Sequence, residues 1–172
     1  MKRIILVYGA IAGAIVFAIM IVQMTVGLHS MVVGYLSMLI ALSMVFVGIK
    51  KYRDDHLGGA IRFSTALAVG FSISLIASLI YALGWELYLW ITDYRFMPEY
   101  IASTIEAKKA AGASAAEIAR TRAEMLEFAK TYENPIIRLL FSLAEIAPVA
   151  VIMTLLSAAL LRKSTFMPSE RG

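Results

Sequence analysis

Four apolar stretches, at 4–28, 31–49, 63–91 and 135–161, dominate this chain of 172 residues. A hydrocarbon core of about 30 Å is crossed by roughly 20 helical residues rising about 1.5 Å each, and every stretch meets or nearly meets that length. The chain therefore reads as an all-α integral membrane protein with four transmembrane helices. Hydrophobic residues make up 60% of it and charged residues 16%, where a soluble domain carries about 25% charged residues. No water-soluble fold of this size could bury so much apolar surface. The spans consume most of the chain, leaving one membrane domain over 1–172 with one polar insert and no separate catalytic domain. There is no cysteine, which excludes disulfides, thiolate-bound metals and thiol catalysis. No cofactor or nucleic-acid partner is expected.

The first span follows Lys2 and Arg3 and outruns the apolar core of a signal peptide, so it reads as an uncleaved anchor. Gly9 and Gly13 form a G-x-x-x-G pair beside Ala10, Ala14 and Ala18. Such small faces let helix backbones approach closely in lipid. Packing on the protein's own helices is the commoner use of such a face, and a homodimer seam the rarer one.

Lysine and arginine concentrate in cytoplasmic loops, so their distribution sets the orientation. One side holds nine bases (Lys2, Arg3, Lys50, Lys51, Arg53, Arg62, Arg162, Lys163, Arg171) against three acids (Asp54, Asp55, Glu170). The other side has a first loop at 27–30 without lysine or arginine and an insert at 92–134 that is close to neutral. Both termini are therefore expected in the cytoplasm. Trp85, Tyr88, Trp90 and Tyr94 mark the outer boundary of the third span as an interfacial belt.

The insert reads as an extracytoplasmic helical hairpin at about 97–133. Pro98 suits a first helical position, Gly112 a left-handed stop, and Ser114 with Glu117 a capping box that starts the second helix. Ile101 and Ile105 give the first helix an apolar edge. Ile118, Met125, Phe128 and Tyr132 give the second one; the two edges can cover each other, which is the commonest outcome, lie on the membrane surface, or offer a candidate surface for a membrane-protein partner.

On the opposite side, the segment 48–59 is densely polar. Lys50, Lys51, Arg53 and Arg62 suit anionic lipid headgroups at about 1 kcal/mol each. Asp54, Asp55 and His56 stand on what reads as a short turn, where three adjacent side chains rarely converge on one metal ion. Gly58 and Gly59 supply a turn before the third span. The loop Gly48-Ile49-Lys50-Lys51-Tyr52-Arg53-Asp54-Asp55-His56-Leu57-Gly58-Gly59-Ala60-Ile61-Arg62-Phe63, the segment Gly112-Ala113-Ser114 before a charged helix, and the block 145–161 together resemble one bacterial membrane family, domain of unknown function 4199. The resemblance covers nearly the whole chain. It implies a small four-helix protein of the bacterial inner membrane and carries no activity with it.

Two carboxylates in the spans are candidates for chemistry. Glu145 lies about 15 Å into the last span, near mid-bilayer, where a charged side chain costs roughly 2.5–3.5 kcal/mol and is neutralised, paired or turned inward. A buried Glu145 in its neutral form is what a proton carrier needs, and Pro148 three residues on loosens the backbone ladder around Ala144. Structural pairing of Glu145 competes with that role. Glu86 falls near the outer boundary, within reach of a snorkelling Arg138, although spacing alone cannot join them. It follows Gly70, Ser74, Ser78 and Ala82 on a ridge of small residues suited to close helix packing.

An enzyme fares poorly on this inventory, because His29 and His56 fall on opposite faces and no nucleophile elbow, zinc motif or phosphate loop is present. The expected function is a non-enzymatic accessory or interaction protein of the envelope. The alternatives are a small proton- or ion-coupled carrier working as a parallel homo-oligomer through Glu145, and a lipid-active membrane enzyme.

Overall fold

The long apolar runs become helices because hydrocarbon offers no partner for backbone N–H and C=O groups, and a helix satisfies them internally. A computed structural model describes residues 1–27 and 31–169. Among them stand six helices, α1 (Lys2–Thr25), α2 (Met31–His56), α3 (Phe63–Ile91), α4 (Phe96–Ala110), α5 (Ala115–Tyr132) and α6 (Pro135–Leu161), and no strand. α1, α2, α3 and α6 are long and apolar enough to cross a membrane. His29, the end of the expected first span at Leu28, most of the loop at 27–30, Glu170 and Arg171 lie outside the described residues.

Two boundaries differ from the expectation. α2 does not stop at Ile49 but continues to His56. The polar segment that reads as a turn is two further helical turns, held by i,i+4 ion pairs from Lys50 to Asp54 at 2.6 Å and from Lys51 to Asp55 at 2.9 Å. α4 begins at Phe96, so Pro98 is its third residue. The early amides of a helix have no partner within it, and a proline there costs no hydrogen bond.

The chain divides into two compact units, Met1–Gly84 with Ser142–Gly172, and Trp85–Phe141. In the first unit, buried residues recur every three or four positions: Ala12, Val16 and Met20 on α1; Leu42, Val45 and Ile49 on α2; Val69, Ile73 and Ala77 on α3; Ile146, Ala150 and Thr154 on α6. The outward faces carry Leu6, Val32, Ile40, Leu75 and Ile152, all more than half exposed. Apolar surface on the outside as well as the inside is the mark of helices solvated by lipid.

Polar groups inside this unit are paired. Gln23 donates to Ser37 Oγ at 2.7 Å, joining α1 to α2, and the hydroxyls of Ser74 and Thr154 meet at 3.1 Å, joining α3 to α6. No buried side-chain nitrogen or oxygen among the described residues lacks a hydrogen bond. Arg53 is fully buried. Its guanidinium donates to Asp54 at 2.7 Å, to the carbonyls of Leu161 at 3.4 Å and Phe166 at 2.9 Å, and to that of Met167. The end of α2 thus satisfies carbonyls at and beyond the end of α6, which have no helical donor of their own.

The G-x-x-x-G face of α1 packs internally. A Cβ on Gly9 would stand 2.7 Å from Ile76 Cβ, and one on Gly13 2.7 Å from Ile80 Cβ, so α1 approaches α3 at a distance only glycine permits. Around Gly34 of α2 there is open space. Gly13→Ala is therefore expected to lower stability by about 1–3 kcal/mol through overpacking. Gly34→Ala should raise it by up to about 1 kcal/mol through helix propensity. Thermal unfolding of the purified variants in detergent checks both signs.

Candidate functional site

The second unit is built from the end of α3, all of α4 and α5, and the start of α6. α3 ends in a tight reversal in which Asp93 and Tyr94 take left-handed conformations, with φ of 50° and 55°. Tyr94 N–H returns to Leu89 C=O at 2.8 Å and Arg95 N–H to Thr92 C=O at 3.2 Å. Non-glycine residues hold such angles at a cost of order 1 kcal/mol or more each, sustained by the surrounding contacts.

α4 stops at Ala110, and just past its cap Gly112 takes φ 78° while the N–H of Ala113 bonds Lys108 C=O at 3.1 Å. α5 starts with the reciprocal capping box of Ser114 and Glu117. The Ser114 backbone N–H, and then its hydroxyl, hold the Glu117 carboxyl below the usual glutamate range. α4 and α5 pack on each other. Ile105 is buried, yet α5 buries none of its residues. The Asn134 side chain caps α6, accepting the N–H of Ile136 at 2.9 Å.

One turn into α6, Arg138 is buried and its planar fork meets Glu86 on both oxygens, Nε to Oε1 at 2.8 Å and Nη2 to Oε2 at 2.7 Å. Nη1 donates to the carbonyls of Tyr132 and Glu133 at 3.0 and 2.9 Å. Tyr94 lies against the guanidinium with its ring centre 5.2 Å away, in reach of a cation–π contact. Trp85 Nε1 donates to the Tyr132 hydroxyl at 2.6 Å. Glu86, Tyr94, Tyr132 and Arg138 border a cavity of about 700 Å³, whose other walls are Leu89, Met97, Pro98, Ile101, Leu126, Ala129, Glu133 and Pro135.

The size is that of a small-molecule or side-chain pocket, and the walls are mainly apolar. The ion pair in its wall is closed on itself, because Glu86 spends both oxygens on Arg138. Such a site suits an apolar guest better than a charged one. Among the described residues no group of three or more His, Asp or Glu side chains is placed to hold a metal ion.

A family model described as protein of unknown function, DUF4199, matches residues 7–163. The chain belongs to that family. No curated protein and no solved structure matches it.

In this DUF4199 chain, the residues singled out from sequence separate into different places. Glu86 and Arg138, which spacing could not join, form the bidentate pair of the second unit. Glu145 does not belong to that site. It lies in the first unit, and the expectation of a buried carboxylate is wrong, for Glu145 is exposed. Ser142, Ile146 and Val149 set the inward face of α6 there, and at about 100° per residue Glu145 falls just beyond its edge. Its Oε2 accepts the Tyr81 hydroxyl at 2.9 Å. Pro148 is exposed too.

Of the four candidate headgroup contacts, Arg53 must be withdrawn, since the longer α2 carries it onto the buried ridge of Val45 and Ile49 and the carbonyls after α6 consume it. Lys51 and Arg62 are exposed and Lys50 is half-buried. Asp54, Asp55 and His56 engage their own helix, Asp54 with Lys50 and Arg53, Asp55 with Lys51, and His56 stacked on Tyr52 at 5.3 Å. On α5, Ile118, Met125 and Tyr132 are half-buried, and Phe128 is 41% exposed with its ring 5.5 Å from Phe141. Sequence reasoning missed Tyr81, Met97, Leu126 and Ala129, and saw Tyr94 only as part of an aromatic belt. Nothing in their local pattern marks them, since only tertiary folding brings them beside Glu145 or the cavity.

Glu86→Ala leaves the buried Arg138 without its carboxylate and should destabilise the second unit by about 3 kcal/mol. Glu86→Gln, which keeps one acceptor, should cost less, and the double change Glu86→Leu with Arg138→Met should recover most of the loss. Hydrogen exchange along α4 and the first turn of α6 reads all three. The capping box adds a pH effect. The Glu117 carboxyl lies lower in the folded chain than in the unfolded one, so its support of α5 is complete above the unfolded value and lost as pH falls through the folded one. Amide protection at the start of α5 should drop on acidification below about pH 4, and Ser114→Ala should abolish that dependence.

Proposed function

We propose that this protein is a multi-pass component of the bacterial inner membrane, with both termini in the cytoplasm and α4 and α5 forming an extracytoplasmic helical hairpin. In this reading it is a non-enzymatic accessory protein, and the hairpin receives an apolar segment of a membrane-protein partner in the cavity beside Arg138. The observation that carries it is that cavity of about 700 Å³, mainly apolar in its walls and with the Glu86–Arg138 ion pair in its lining mutually satisfied. α5 supports it as well, because an amphipathic helix of 18 residues that buries none of them has apolar surface to offer. The excess of bases beside α2 and after α6 supports the orientation. On that side the exposed Lys51 and Arg62 would face anionic headgroups.

A photocrosslinking residue at Leu126 or Ile101, in cells at native expression, tests the reading. The expected result is one dominant protein adduct, reduced when Ala129 is changed to Glu and unchanged by Glu145→Gln. Adducts spread over many abundant proteins would overturn it. So would solute flux in proteoliposomes that Glu145→Gln abolishes, which is the carrier's signature.

A further inference from the structure

Glu145 is the eleventh of the 27 residues of α6, so it stands about 15 Å from Pro135, deep in a helix long enough to span a bilayer. A carboxyl at that depth is out of reach of headgroups and is normally neutral, paired or turned inward. Here it points outward. Among the described residues it takes one hydrogen bond, from Tyr81 to Oε2 at 2.9 Å, which orients the group.

The same face carries a second polar group. Pro148 has no N–H to give the carbonyl of Ala144, its acceptor in a regular helix, and both residues are exposed. Hydrocarbon supplies no substitute donor. Below them the exposed residues Glu145, Pro148, Ile152, Leu155 and Ala159 follow one another at spacings of three and four, the pattern of a helix–helix seam. The face thus presents a carboxyl, which donates when it carries its proton, and one acceptor, the Ala144 carbonyl.

We propose that α6 is the seam of a parallel homodimer in which the Glu145 carboxyl of each copy hydrogen-bonds the Ala144 carbonyl of the other. The occupant is a second copy because the face complements itself. A two-fold axis along the membrane normal sets donor against acceptor twice at one depth. The charge bias gives every copy the same orientation, so neighbours are parallel. Another membrane protein would have to bring its own matching pair to the same depth.

The absence of cysteine makes a single introduced one unique. Ile152→Cys lies on the seam, and Leu75→Cys on α3 and Leu6→Cys on α1 are controls of similar exposure, 52%, 58% and 60% in the parent residues. Oxidative crosslinking in native membranes should give a dimer at position 152 at least about tenfold above both controls. Adding Glu145→Leu should cut that yield about tenfold, whereas Glu145→Gln, whose amide donates, should keep most of it. Pro148→Ala offers a reading that a loss of folding could not imitate. It restores the donor to Ala144 and should raise the thermal stability of the monomer while weakening the dimer. Equal crosslinking at positions 152 and 75, an adduct to a different protein at 152, or a dimer indifferent to both Glu145→Leu and Pro148→Ala would each overturn the proposal.

Discussion

Every polar group drawn into hydrocarbon must find its partner within the protein, and most of this structure follows from that demand. It makes the spans helical and decides what their few polar side chains do. Gln23 meets Ser37 and Ser74 meets Thr154. The fork of Arg138 is spent on Glu86 and two carbonyls. Against that background of satisfied groups, the outward carboxyl of Glu145 and the proline after it stand out.

The two units answer the demand differently. The first has close packing, with glycines on α1 admitting Ile76 and Ile80 of α3, and a thin scatter of internal hydroxyls. The second has short helices tied by caps, a strained reversal at Asp93 and Tyr94, and an ion pair in the wall of a cavity. Close-packed small residues serve permanence. In the second unit the cost of the strained turn is sustained by the contacts of Tyr94 with Arg138.

Much of this was legible in the sequence where the signal is local. The four spans follow from length and apolarity, the capping box from Ser114 and Glu117, and the internal ridge of α3 from Gly70, Ser74, Ser78 and Ala82, with Gly70 facing Thr154 of α6. Membership of the family follows from short motifs taken together. The failures share a cause. In a helix that is apolar on all sides, periodicity does not say which side faces in, so Glu145 reads as buried when it sits just outside the inward arc. Arg53 reads as one more surface base because its partners lie 108 to 114 residues away. The left-handed pair at 93 and 94 lacks the glycine that would have announced it.

The burial of Arg53 makes the chain's final described stretch an architectural part rather than a tail. The carbonyls at 161, 166 and 167 are the acceptors that allow a guanidinium to sit there without water. α2 therefore ends in a guanidinium that has one local partner, Asp54, and whose remaining donors are met only by carbonyls 108 to 114 residues further along. The segment that follows α6 thereby ties the end of α2 to the end of α6.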